Sequence, residues 1–142
     1  MIEKIYNGEE FLGLIIRNSY SAEGVSFFTG DDAPIQVAYM AHKEGKEILP
    51  HVHNAVKREI FFTSEVLLLK KGRLRVDFYT SNQEYLESRI IEKGDVILLA
   101  GGGHGFQALE EIEMIEVKQG PYLGELDKVR FPAVTASKLK LL

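Results

Sequence analysis

Short apolar runs cut by glycine, asparagine and aspartate constrain this chain more than any other feature. "EFLGLIIR", "GVSFFTG" and "IQVAYMAH" come first, then "SEVLLLKKG", "RLRVDFYT", "SRIIEKG", "DVILLAG", "GFQALE" and "IEMIEVKQG". Most carry Val, Ile, Phe or Tyr at alternate positions, the period of a strand with one face buried. "KKGRL" is a hairpin signal, and "TSNQEY" and "EKGD" are polar turns, so sequential neighbours should pair antiparallel. No segment has a helical period long enough to cross over a parallel sheet. The expectation is an all-β sandwich or barrel.

At 142 residues with 45% hydrophobic side chains, the chain suits one domain with a continuous core. The expected organisation is a single domain over 1–142, with a barrel core at about 9–131 and a Lys-rich tail at 132–142. A formal charge of −4 without a dense basic run offers no footprint for nucleic acid. The absence of cysteine removes disulfides, thiolate nucleophiles and Cys-ligated zinc. The opening residues show neither a signal peptide nor a membrane span, which points to a cytoplasmic protein with no membrane partner.

The sharpest chemical signal is "HVH". On a strand, residues i and i+2 share a face, so His51 and His53 would aim their imidazoles at one point while Val52 turns away. Such a pair alone is more often polar surface than metal site. Its surroundings raise its weight: Gly45, five residues, His51-x-His53, then Glu65, six residues and Gly72, and later Gly94 leading through "DVILLAGGG" to His104.

This spacing resembles the two signature motifs of the cupin superfamily. Gly45, His51, His53, Glu65 and Gly72 match the five positions of the first; Gly94 and His104 match the ends of the second, with Gly101, Gly102 and Gly103 near its glycine. Three departures are visible. Eleven residues separate His53 from Glu65 where the family has a short gap, Ala100 stands near the expected proline, and the run to His104 is one residue short with Gln107 rather than asparagine beyond it. Glu59 on the enlarged loop competes with Glu65, but Glu65 keeps the step to Gly72, and insertions fall more readily in loops.

The resemblance implies a double-sheet jelly-roll β-barrel. His51, His53, Glu65 and His104 would bind one divalent transition metal (Zn, Mn, Fe, Ni or Co) with open positions for a small-molecule substrate. It also implies a homodimer, to which the apolar "FLGLII" could contribute, although core burial explains that run equally well. A second polar constellation, "EVKQGPYLGELDK", offers Lys118, with Glu116 on the same face, and Tyr122. Arg58, Lys118, Gln107 and Tyr122 are the candidates for substrate binding, Tyr79 a further rim phenol, and for each of them a solvated or structural role is the simpler reading. The functional expectation is a metalloenzyme acting on a small anionic or oxygenated substrate. The alternatives are a non-catalytic small-molecule or sugar-binding module, and a metal-independent isomerase resembling sugar-nucleotide epimerases.

Overall fold

The computed structural model describes residues 1–142 and is all-β, with ten strands and two short 3-10 turns. Chain contacts divide it into two compact units, Ser21–Phe61 on one hand and Met1–Tyr20 with Phe62–Leu142 on the other. No helix is long and apolar enough to cross a membrane.

The larger unit holds two antiparallel sheets. One has five strands in the order β1 (Ile2–Asn7), β2 (Glu10–Ile16), β8 (Val96–Leu99), β5 (Glu65–Lys71) and β10 (Glu113–Lys118). The other has three, in the order β7 (Tyr85–Glu92), β6 (Arg73–Tyr79) and β9 (Gly103–Ala108). Neither closes into a barrel. Between them lies the core. Ile5, Ile15, Leu67, Leu69, Ile97 and Leu99 come from the five-stranded sheet, facing Leu74, Val76, Phe78 and Ile91 from the three-stranded one. These residues recur at every second position, so alternation in the sequence becomes a two-layer sandwich. The "FLGLII" run is consumed here: Leu12, Leu14, Ile15 and Ile16 are buried within the chain itself.

Two results differ from the expected boundaries. The first strand, Ile2–Asn7, pairs along β2 and places Ile5 in the core, ahead of the expected barrel start. Its mixed "IEKIYN" composition hides it, because only one of its faces is buried. The last residues are also no loose tail. Lys140 O accepts the Ser88 amide at 2.8 Å, the Leu142 amide reaches Ser88 O at 3.1 Å, and the Val134 amide reaches the Tyr79 hydroxyl at 3.0 Å. A strap thus crosses Tyr79 on the outer face of β6 and ends by pairing in parallel along the free edge of β7 at Ser88.

Under that strap lies a buried polar network. Arg75 and Asp77 share the outward face of β6, and the guanidinium grips the carboxylate through Nε at 2.8 Å and Nη2 at 3.0 Å. The Ser88 hydroxyl donates to the same carboxylate at 2.5 Å. Since Ser88 spends its proton there, it accepts from Tyr85 at 2.8 Å.

The smaller unit is a hairpin, β3 (Gly24–Phe27) with β4 (Ala38–Ala41), followed by a long segment without regular secondary structure. Gln36 ties the hairpin loop together by bonding the carbonyls of Gly30 and Ala33 and the Thr29 hydroxyl. Here the sequence misleads at one point: His51 and His53 are not on a strand.

Candidate functional site

Four titratable side chains meet at one end of the inter-sheet space in the larger unit. Glu65 opens β5 on the face that carries Leu67 and Leu69 into the core, so alternation turns its carboxylate inward. His104 lies on β9 opposite Phe78, a core residue of β6, and therefore points inward from the other sheet. Its Nε2 stands 3.1 Å from Glu65 Oε2. On β10, Lys118 pairs in register with Glu65 and its Nζ lies 3.9 Å from Glu65 Oε1 and 3.2 Å from Glu116 Oε1. Glu65 is largely buried, while His104, Lys118 and Glu116 are partly open to solvent.

The local backbone places these groups for identifiable reasons. Gly102 makes the approach to β9 with φ +60°, and a Cβ there would sit 2.4 Å from Tyr79 O, a position only glycine tolerates. Gly103 and His104 already belong to the strand. At the start of β5, the Ser64 amide donates to Gln119 Oε1 at 2.7 Å, and the Thr63 hydroxyl donates to Asp127 at 2.5 Å. Gln119 therefore braces the strand that presents Glu65, while Lys118, one residue earlier, reaches the cluster.

Electrostatics follow from this geometry. The hydrogen bond from His104 holds the Glu65 carboxyl below its ordinary value against the opposing effect of burial, and the positive charges of Lys118 and Lys128 act in the same direction. Glu116 raises Lys118 above its ordinary value, chiefly through its hydrogen bond. If His104 donates its Nε2 proton to Glu65, Nδ1 is the nitrogen left with a lone pair.

The remaining sequence candidates lie elsewhere. Gln107 is three residues from His104, an odd step, and pairs with Arg75 on the outward face of the sheet. Tyr122 is exposed on the loop after β10, and Tyr79 faces outward to hold the strap. In the smaller unit, Arg58 is exposed and Glu59 pairs with Lys57 at 3.6 Å. His51 and His53 do come together, by ring packing rather than strand alternation: their centroids are 5.2 Å apart, edge to face. His51 Nδ1 hydrogen-bonds Leu49 O at 3.0 Å, an acceptor only, which leaves Nε2 as its lone-pair nitrogen. Glu116 is read from the alternation of β10, and Lys128, which closes the same polar stretch "EVKQGPYLGELDK", adds positive charge that acts on Glu65.

The metal expectation can be tested against these donors. They form two pairs, Glu65 with His104 and His51 with His53, and nowhere do three or more His, Asp or Glu groups converge as a metal site. In the first pair, an ammonium beside the carboxylate competes with a cation.

The chain matches no protein-family model, no curated protein and no solved structure. Fold and site together define an all-β protein whose larger unit holds a carboxylate, imidazole and ammonium cluster between its two sheets.

Proposed function

We propose that this chain is a small-molecule enzyme of cupin-like, jelly-roll architecture that moves a proton on an anionic or carbonyl-bearing substrate at the Glu65, His104 and Lys118 cluster. The observation that carries this reading is the 3.1 Å contact between His104 Nε2 and Glu65 Oε2, made from opposite sheets at the inner face. A carboxylate bonded to one imidazole nitrogen fixes the ring and stabilises the imidazolium once the other nitrogen takes a proton. His104 Nδ1 would remove a proton from carbon beside a substrate carbonyl. Lys118 would donate a hydrogen bond to the oxygen that gains charge. Return of the proton to a neighbouring atom completes an isomerisation that needs no oxidant or reductant.

The reading is tested by incubating chelator-treated protein with small oxo acids and keto sugars in D2O and following loss of the proton beside the carbonyl by NMR. Solvent exchange that falls by about 10²–10⁴-fold in His104→Gln supports proton transfer. Exchange unaffected by that substitution removes it.

A second reading keeps the metal. It is favoured by the adjacency of His51 and His53, which the bond from His51 to Leu49 O leaves with an available Nε2. On this reading all four donors converge around a divalent ion, which would supply Lewis-acid chemistry. Equilibrium dialysis against Zn, Mn, Fe, Ni and Co separates the two. Binding lost in both His51→Ala and Glu65→Gln, but kept in Glu59→Gln, supports the ion. Binding indifferent to these substitutions rejects it.

A further inference from the structure

Both sheets of the larger unit end on the same side. Strand β9 is the last strand of one and β10 the last of the other, and residues 109–112 join them by crossing from sheet to sheet. The sandwich is closed at that crossing. The Leu109 amide donates to Arg73 O at 3.0 Å, Ile112 packs against the core, and a Cβ on Gly72 would stand 2.2 Å from Glu111 O. From there the two edges run to the Glu65, His104 and Lys118 cluster.

Alternation decides what faces the gap between them. His104 and Phe106 share the inward face of β9, and Lys118, Glu116 and Met114 share that of β10. Phe106 lies opposite Val76, and Met114 opposite Leu69, both buried core residues. Phe106 and Met114 are nevertheless each 39% exposed, so the sandwich is unsealed along this side. Glu116, between the cluster and Met114, reaches Lys118 at 3.2 Å. The Phe106 ring centroid lies 5.4 Å from that of His104. The gap thus has a polar end and, beside it, an open wall made of an aromatic ring and a thioether chain.

Charge decides what kind of head group suits the polar end. Three carboxylates act on Lys118: Glu116 at 3.2 Å, Glu65 at 3.9 Å, and Asp127 from farther away. Lys118 and Lys128 are the positive charges that act on Glu65 beside His104. With His104 as a neutral base, three negative charges face two positive ones. An incoming carboxylate would add to that excess, whereas a carbonyl oxygen asks only for a hydrogen bond.

We propose that the gap between β9 and β10 admits an uncharged ketone or aldehyde bearing a flat apolar group, with its carbonyl between His104 and Lys118 and that group against Phe106 and Met114. The fate of the carbonyl compound rests on the proton-transfer reading; its binding does not. Residues two apart on a strand are about 7 Å apart, which sets the flat group about two carbons from the carbonyl. An aromatic ring suits this wall, since it stacks or tilts against Phe106 and gains a sulfur contact from Met114.

The native, chelator-treated chain tests this with 4-phenyl-2-butanone, with butanone, which lacks the ring, and with 3-phenylpropanoate, which has the shape of the phenyl ketone but a negative charge. Titrated into ¹⁵N-labelled protein, the phenyl ketone should give saturable amide shifts on β9 and β10. It should bind at least about tenfold more tightly than butanone, and more tightly than the acid. In D2O it should exchange its protons beside the carbonyl with the larger kcat/KM of the two ketones. Phe106→Ala should lower the affinity ratio of the two ketones about 2–10-fold, and Phe106→Leu, which keeps apolar bulk on β9, by less. Tighter binding of the acid, or equal binding of the two ketones, overturns the proposal on the native chain alone, whether or not a variant folds. Saturable binding on β9 and β10 without exchange upholds this site and removes the proton-transfer reading. Exchange of both ketones at equal rates, without those shifts, upholds that reading and overturns this site.

Discussion

Substituting Asp77 by alanine should cost more stability than any other single change on the outward face of the three-stranded sheet. Asp77 is buried, accepts both arms of the Arg75 fork and the Ser88 hydroxyl, and its removal strands all three donors. Breaking a buried pair by deleting one partner costs about 3–5 kcal/mol, because the surviving charge stays desolvated. The Arg75 side chain retains some contact with water, which favours the lower end, about 3 kcal/mol. At roughly 3 °C per kcal/mol for a chain of this length, the melting point should fall by about 10 °C. Ser88→Ala removes one hydrogen bond to a charged group but leaves the Arg75 fork in place, and should cost about 1.5 kcal/mol. Tyr85→Phe removes the bond that Ser88 accepts and leaves the Lys140 amide without the hydroxyl it reaches at 2.9 Å, and should cost about 1.5 kcal/mol. Urea denaturation of the three variants, with Asp77→Asn to separate charge from volume, reads the series directly. A loss below about 1 kcal/mol for Asp77→Ala, or an inverted order, would refute the reasoning.

Gly102→Ala should cost at least about 2 kcal/mol, since φ is +60° and the new Cβ would meet Tyr79 O at 2.4 Å; urea midpoints measure it, and a neutral result contradicts the turn. Removing residues 140–142 deletes the bonds from Lys140 and Leu142 to Ser88 and should cost about 2 kcal/mol. The Ser88 amide should then exchange hydrogen faster than those of β8. Arg17→Ala removes the guanidinium from the buried Asp95 at 2.8 Å and from Glu3 at 2.6 Å, leaving Asp95 with the Asn18 and Glu92 amides and Glu3 with Arg89, and should lower stability by about 2 kcal/mol by thermal denaturation, with Arg17→Lys recovering part.

Strands whose inward residues form the core were legible because the two-residue period is local. "RLRVDFYT" places Leu74, Val76 and Phe78 inward in the structure as alternation requires. Strand β1 was not, because Ile5 is its one core residue and the rest of "IEKIYN" is mixed. The link from Glu65 to Lys118 was half legible. Alternation puts Lys118 and Glu116 on one face, but only the pairing of β10 with β5 brings that face to Glu65. Gln107 shows the reverse, since its distance from His104 along the chain is short but odd, and an odd step on a strand leads to the other face. The strap over Ser88 depends on contacts spanning more than fifty residues, which no local pattern encodes.

The account rests on the state of one imidazole, and long-range ¹H–¹⁵N spectra of the histidine rings in chelator-treated protein measure it. Proton transfer through a Glu65-bonded His104 predicts a proton on Nε2 and a lone pair on Nδ1, with the signal shifting in Glu65→Gln. A proton on Nδ1 instead, or an Nε2 signal that moves on adding a divalent ion together with those of His51 and His53, would contradict it and assign the ring to a metal.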